Sequence, residues 1–107
     1  AEAGRVHRKV SFEGGALVVA DWADRAGPLS SAFLFAPGLE IRDLGDCRFE
    51  ATRDGRPVCL ARVQEGLATR IEERWHAPTF GTKRPARALV VGGPAVREIS
   101  VLFLPLA

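Results

Sequence analysis

"ALVVADWADRAGPLSSAFLFAP", residues 16–37, decides how this chain is read. Its first eight residues are apolar on both faces of an extended chain, as in a central strand. "RAGP" (25–28) is a turn signal, because Gly and Pro punctuate regular structure. "SSAFLFAP" (30–37) then reads as a separate strand. Just upstream, "RVHRKVSF" (5–12) alternates. Val6, Val10 and Phe12 fall on one side, His7, Lys9 and Ser11 on the other, which predicts a half-buried strand. "EGG" (13–15) turns the chain between the two. "LEIRDL" (39–44) is short and alternating. Strand-like runs recurring every roughly 8–12 residues with turns between them predict an all-β sandwich or barrel. The expectation is one antiparallel β-sandwich domain over residues 1–107.

The clearest hairpin is "DCRFEATRDGRPVCLARV" (46–63). Asp54-Gly55 suits a type I′ turn, whose central residues both take positive φ. With Arg53 and Arg56 flanking a two-residue loop, Cys47, Phe49 and Ala51 share a face with Val58 and Leu60, and Glu50 sits opposite Cys59. The sulfurs of Cys47 and Cys59 then point to opposite sides, so two free thiols are expected, Cys47 buried. "LATRIEERWHAP" (67–78) fits either a strand or a helix. The β context favours a strand, with Leu67, Thr69, Ile71, Glu73 and Trp75 inward and Arg70, Glu72, Arg74 and His76 outward. "ARALVVGGP" (86–94) and "EISVLFLPL" (98–106) read as two closing strands joined by a Gly-Gly-Pro turn.

The chain's 107 residues are 47% hydrophobic, enough for a single core. Fifteen basic against thirteen acidic residues leave a net charge of +2. That is too weak for a dedicated nucleic-acid binder, so no nucleic-acid partner is expected. Most of the cations are Arg, which suits cross-strand pairing with carboxylates. "AEAGRVHRKV" has no apolar leader core, and "VLFLPLA" falls far short of the roughly 20 apolar residues that span a bilayer. No membrane partner is expected. The abrupt, strand-like ends predict a domain cut from a longer protein.

Motif by motif, the chemistry thins out. "EGG" and "VGG" lack the Gly-Lys-Ser/Thr of a phosphate loop. His7 and His76 have no Cys or carboxylate at ligand spacing, so no metal and no cofactor are expected. "GPLSSAF" has the wrong frame for a nucleophile elbow. Glu72 and Glu73 point to opposite faces of a strand and form no acid–base pair. Asp21, if buried, needs an Arg or backbone amide and reads as structural. Trp22 reads as core or interdomain packing. The stretch "WHAPTFGTKRP" (75–85) combines aromatic rings with cations, and Gly81 permits a bulge. Candidate substrate-binding residues are His76, Lys83 and Arg84, with His7 added from the polar side of the first strand. No catalytic residue is assigned.

The order of three segments, "HRKVSFEGGALVVADW", "SSAFLFAPGLEI" and "WHAPTFGTKRPARALVV", resembles the C-terminal β-sandwich region of heparinase II/III-like polysaccharide lyases. The corresponding pieces are His7-Arg8-Lys9, Val18-Val19-Ala20-Asp21, Phe33-Leu34-Phe35-Ala36-Pro37 and Trp75-His76-Ala77-Pro78-Thr79-Phe80-Gly81. The resemblance makes Phe80-Gly81 a structural signature. It implies a parent enzyme, periplasmic or secreted, in which a helical domain precedes the sandwich and uronate-containing glycans are cleaved by β-elimination. The partners implied are an acidic polysaccharide or oligosaccharide, bound through the parent, and the N-terminal helical catalytic domain. That chemistry needs a group to neutralise the uronate carboxylate, a base for the C5 proton and an acid for the leaving oxygen. The family assigns a Tyr and a His to the last two roles, the Tyr lying in the helical domain. This chain contains no Tyr and is expected to be inactive alone. Where metal-binding relatives place a His, this chain has Ala36. The alternatives are a stand-alone carbohydrate-binding module and a structural β domain that mediates protein contacts.

Overall fold

The computed structural model describes residues 5–79 and 81–106; at 76–79, 82 and 83 it describes the backbone alone. The chain forms seven strands: β1 (Val6–Glu13), β2 (Ala16–Leu34), β3 (Glu40–Gly45), β4 (Arg48–Arg53), β5 (Arg56–Val63), β6 (Ala68–Thr79) and β7 (Thr82–Pro105). All pairings are antiparallel, in the order β1-β2-β7-β5-β4-β3, with β6 added on β7. The fold is an antiparallel β-sandwich made from one continuous sheet. The segment 68–79 is a strand, as its context predicts.

The sheet becomes two layers because its longest strands fold back. Asp21 and Ser31 both lie on β2, ten residues apart, yet Ser31 Oγ donates to Asp21 Oδ2 at 2.6 Å. In a straight strand their Cα atoms would be roughly 33 Å apart. The register of β2 on β7 slips between Trp22 and Leu29, opposite Gly93 to Glu98. Such slips bend a strand and raise its twist. "RAGP" and "GGP" are therefore not reverse turns between strands. They sit across from each other and bend β2 and β7 together, because each strand keeps its partner through the bend. Gly92 is required there: a Cβ on it would collide with the Leu29 carbonyl oxygen and lie 2.9 Å from Ser30 Cα.

The core fills the space between the layers. Leu29 from β2 after its bend (the strand's far half) and Leu89 and Val91 from β7 before its bend meet Ile99 and Val101 from β7 after its bend, Phe49 from β4, and Ala61 and Val63 from β5. Leu89, Val91, Ile99 and Val101 are fully buried. Asp54-Gly55 makes the expected turn, with φ of 50° and 80° and Arg53 paired to Arg56. Beyond it the register slips. Ala51 pairs with Cys59 and Glu50 with Leu60, so Val58 is the extra residue of a bulge. Phe49 and Ala51 thus share the core face with Cys59 and Ala61, not with Val58 and Leu60. The slip turns Cys59 inward. Cys47 sits in a turn at φ 61° and is half-buried rather than buried, and both thiols are free.

Two further expectations are corrected. Val6, Val10 and Phe12 do lie on the core-facing side of the sheet, in register with Ala23, Val19 and Leu17. They are nevertheless 53, 54 and 80% exposed, because β1 is an edge strand that the second layer does not reach. Trp75 keeps the inward parity of Leu67 and Ile71 but is 65% exposed. Along β6 the cover runs out: Leu67 packs on the core, Ile71 is partly open, and Trp75 stands beyond the opposing layer.

Candidate functional site

Among the described residues, two polar groupings join three or more side chains. The first is the seam between the layers. Asp21 is buried, and Arg8 from β1 meets it with a fork: Nε donates to Oδ1 at 2.6 Å and Nη2 to Oδ2 at 2.7 Å. Ser31 supplies a third donor, so a carboxylate out of water keeps its lone pairs satisfied. The hydrogen bonds from Arg8 hold the Asp21 carboxyl below its ordinary value against the opposing effect of burial, and the Ser31 bond adds to them. The same pairing raises Arg8 further above its already high value. The Arg8 guanidinium also lies 5.4 Å from the centroid of Phe33, in cation–π range. Beside it opens a cleft of about 510 Å³ lined by Phe12, Leu17, Phe33, Phe35 and Phe103. Asp21 is structural, as its sequence setting predicts, and its arginine is Arg8.

The second grouping is the arm formed by β6 and the first half of β7. Arg70, Glu72 and Arg74 alternate along β6 and stand opposite Val90, Ala88 and Ala86. Those three are 3, 0 and 3% exposed although they lie on the outer face. The long arginine stems cover them and carry the charges out to water. Glu72 accepts from Arg70 Nε at 2.8 Å and from Arg74 Nη2 at 2.8 Å. Those bonds, Arg70's first, lower the Glu72 carboxyl. One carboxylate is thus shared by two cations, and exposed Arg84 lies one register step beyond Arg74 on the same face. The opposite face of the arm carries Trp75, in register with Pro85, and Glu73 held by Arg87 at 2.8 Å.

The predicted site residues divide between these places. His76 and Arg84 are cross-strand partners, and Lys83 follows toward the arm's tip. The side chains of His76 and Lys83, and the whole of Phe80, lie outside the described residues. His7 is on β1, which among the described residues bonds to β2 alone, so it belongs to another part of the sheet. Its Nε2 lies 3.2 Å from Asp24 Oδ1, and its ring stacks on Trp22 with centroids 5.4 Å apart. Trp22 is half-buried under that stack rather than in the core. Arg70 and Arg74, which are not among the candidates His76, Lys83, Arg84 and His7, stand in the same row as Arg84. Their signal was the period-two run Arg70, Glu72, Arg74. Among the described residues no cluster of three His, Cys, Asp or Glu side chains is placed to hold a metal ion.

Comparison with protein-family models, with curated proteins and with solved structures gives no match for this chain.

Proposed function

We propose that this β-sandwich is a glycan-contacting module whose β6–β7 arm holds acidic carbohydrate. It acts beside the helical catalytic domain of a heparinase II/III-like polysaccharide lyase. The observation that carries the reading is the exposure of Trp75 on the arm, between Arg74 and Arg84 in register and on the face opposite them. A large ring kept in water at a sheet's end offers a flat apolar face to a sugar ring. Arg70, Arg74 and Arg84 share one face with a single carboxylate, Glu72, so that face attracts uronate carboxylates, which match the arginine fork. Trp75 and this row lie on opposite faces of the strand, so the ligand passes over the arm's end rather than into a pocket. The lyase assignment is supported by the order of the three sequence segments.

Titration of the protein with oligo-uronates tests the contact. Saturable, salt-sensitive shifts of amides in residues 70–75 and 84 are expected, weakened by Trp75→Ala and by Arg74→Ala. Unchanged spectra at millimolar ligand overturn it. The lyase assignment is tested apart from this, by the reading frame that encodes the chain. Upstream pairs of amphipathic helices containing Tyr and His, and release of unsaturated uronates by the encoded protein, are expected. A frame without them leaves a binding module with no lyase parent.

A further inference from the structure

The open edge of β1 differs from the other edges of the sheet. β3 is short, has a slip at Asp43 and carries Glu40, Arg42 and Asp43. β6 carries four charges within five residues, Arg70, Glu72, Glu73 and Arg74, with Pro78 beyond. The far half of β2 is headed by Pro28. Such features block strand addition. β1 also carries charges, Arg8, Lys9 and Glu13, but it has eight residues, no Pro and no slip in its pairing, so its backbone presents an unbroken edge.

Its free backbone groups can be assigned. Gly14 and Gly15, at φ 59° and 83°, make a two-residue turn closed by Glu13 and Ala16. The turn bond joins those two, so Glu13 is a hydrogen-bonded partner of β2, and Ser11, Lys9 and His7 follow by alternation. The pattern continues at the strand's start, where Asp24 N–H donates to the Arg5 carbonyl at 3.2 Å. Val6, Arg8, Val10 and Phe12 therefore turn their N–H and C=O groups to the open edge. These are the residues whose side chains form the uncovered row of the core-facing side.

We propose that the occupant of this edge is a second copy of the chain, paired antiparallel through β1 about a two-fold axis at Val10. In that register Val10 faces Val10 of the second copy and the two exchange both their backbone bonds. Arg8 faces Phe12, Lys9 faces Ser11 and His7 faces Glu13. No like charges are opposed, an acid meets each imidazole, and a guanidinium meets each phenyl ring. Two neighbouring registers keep the core-facing sides together too. The one centred on Ser11 pairs only residues 9–13 of the strand, against 7–13 for the axis at Val10. The other is centred on Lys9. It sets Lys9 against Lys9 in a close non-hydrogen-bonded pair, which disfavours it. In the chosen register the apolar rows of both copies meet along one continuous sheet.

Sedimentation velocity and amide exchange on the 107-residue protein test this. A concentration-dependent dimer is expected, in which the amides of Arg8, Val10 and Phe12 become protected as it forms. Val10→Lys sets two ammonium groups against each other on the axis and weakens the dimer at least about tenfold. Val10 is more than half exposed, so the variant's monomer stays folded, with an unchanged circular dichroism spectrum. A chain that stays monomeric to millimolar concentration overturns the proposal. So does a dimer that leaves those amides unprotected or survives Val10→Lys. A strand from a different protein would appear as protection of these amides only on adding that protein, with this chain alone monomeric, and that outcome also overturns it.

Discussion

At the seam Arg8 meets Asp21, and on the arm Arg70 and Arg74 meet Glu72. The bonds are of similar length, 2.6 and 2.7 Å at the seam against 2.8 and 2.8 Å on the arm. What differs is water. The Asp21 side chain is 7% exposed and that of Glu72 is 31% exposed. A carboxylate out of water must keep its partners, and removing one leaves a charge that nothing solvates. A carboxylate in water exchanges partners at little cost. The same residue types thus form a fixed buried pair at the seam, where Ser31 ties Asp21 to the other layer, and a water-exposed, exchangeable one on the arm.

The comparison can be broken at the seam first. Arg8→Met strands the Asp21 carboxylate beside Ser31 alone and is expected to cost about 3 kcal/mol in chemical unfolding. A loss below about 0.5 kcal/mol would show that water replaces the arginine and that seam and arm are alike. Next comes the bend that brings Asp21 to Ser31. Gly92→Ala drives a methyl into the β2 backbone and is expected to cost about 2 kcal/mol, read as a lowered Tm. At Gly27, where a Cβ would meet nothing within 4 Å, the same substitution should leave Tm nearly unchanged.

The pH response sharpens the contrast. Asp21 has a folded pKa held below its ordinary value, about 3.9. Its contribution is complete above that ordinary value and disappears as pH falls through the lower folded value. Stability measured from pH 6 down to 2 should fall, and Asp21→Asn should start lower and fall less steeply. Equal slopes would remove Asp21 from the acid response. The smallest stability effect belongs to the arm. Glu72→Gln should leave Tm within error while strengthening oligo-uronate binding, since it frees Arg70 and Arg74. A clear drop in Tm would make the arm a structural brace instead.

Much of this was legible in residue order. Alternation placed Arg70, Glu72 and Arg74 on one face and Phe49 and Ala51 on another, and the Asp54-Gly55 turn set its own first pair. The bulge at Val58 was not legible, because a slip of one residue leaves the local pattern almost equally apolar on both faces. Trp75 shows the limit of parity. Alternation tells which side of a strand a residue takes, but not whether another layer covers that side. His7 shows a related limit: its polar side of β1 was readable, its stacking on Trp22 was not, since that depends on which strand lies alongside.

The sequence by itself determined the all-β class, the parities of β1, β4 and β6 but not that of β5, and the need of Asp21 for a partner. Those follow from period two, turn chemistry and the cost of burying charge, all local or nearly so. Only the tertiary structure decided that "RAGP" and "GGP" bend paired strands instead of ending them. It alone decided that Arg8 is the partner, that β1 lies uncovered and that Trp75 stands in water. The physical reason is common to all four. Each depends on what packs against a segment from far along the chain, and pairing partners and cover are set by the sheet as a whole.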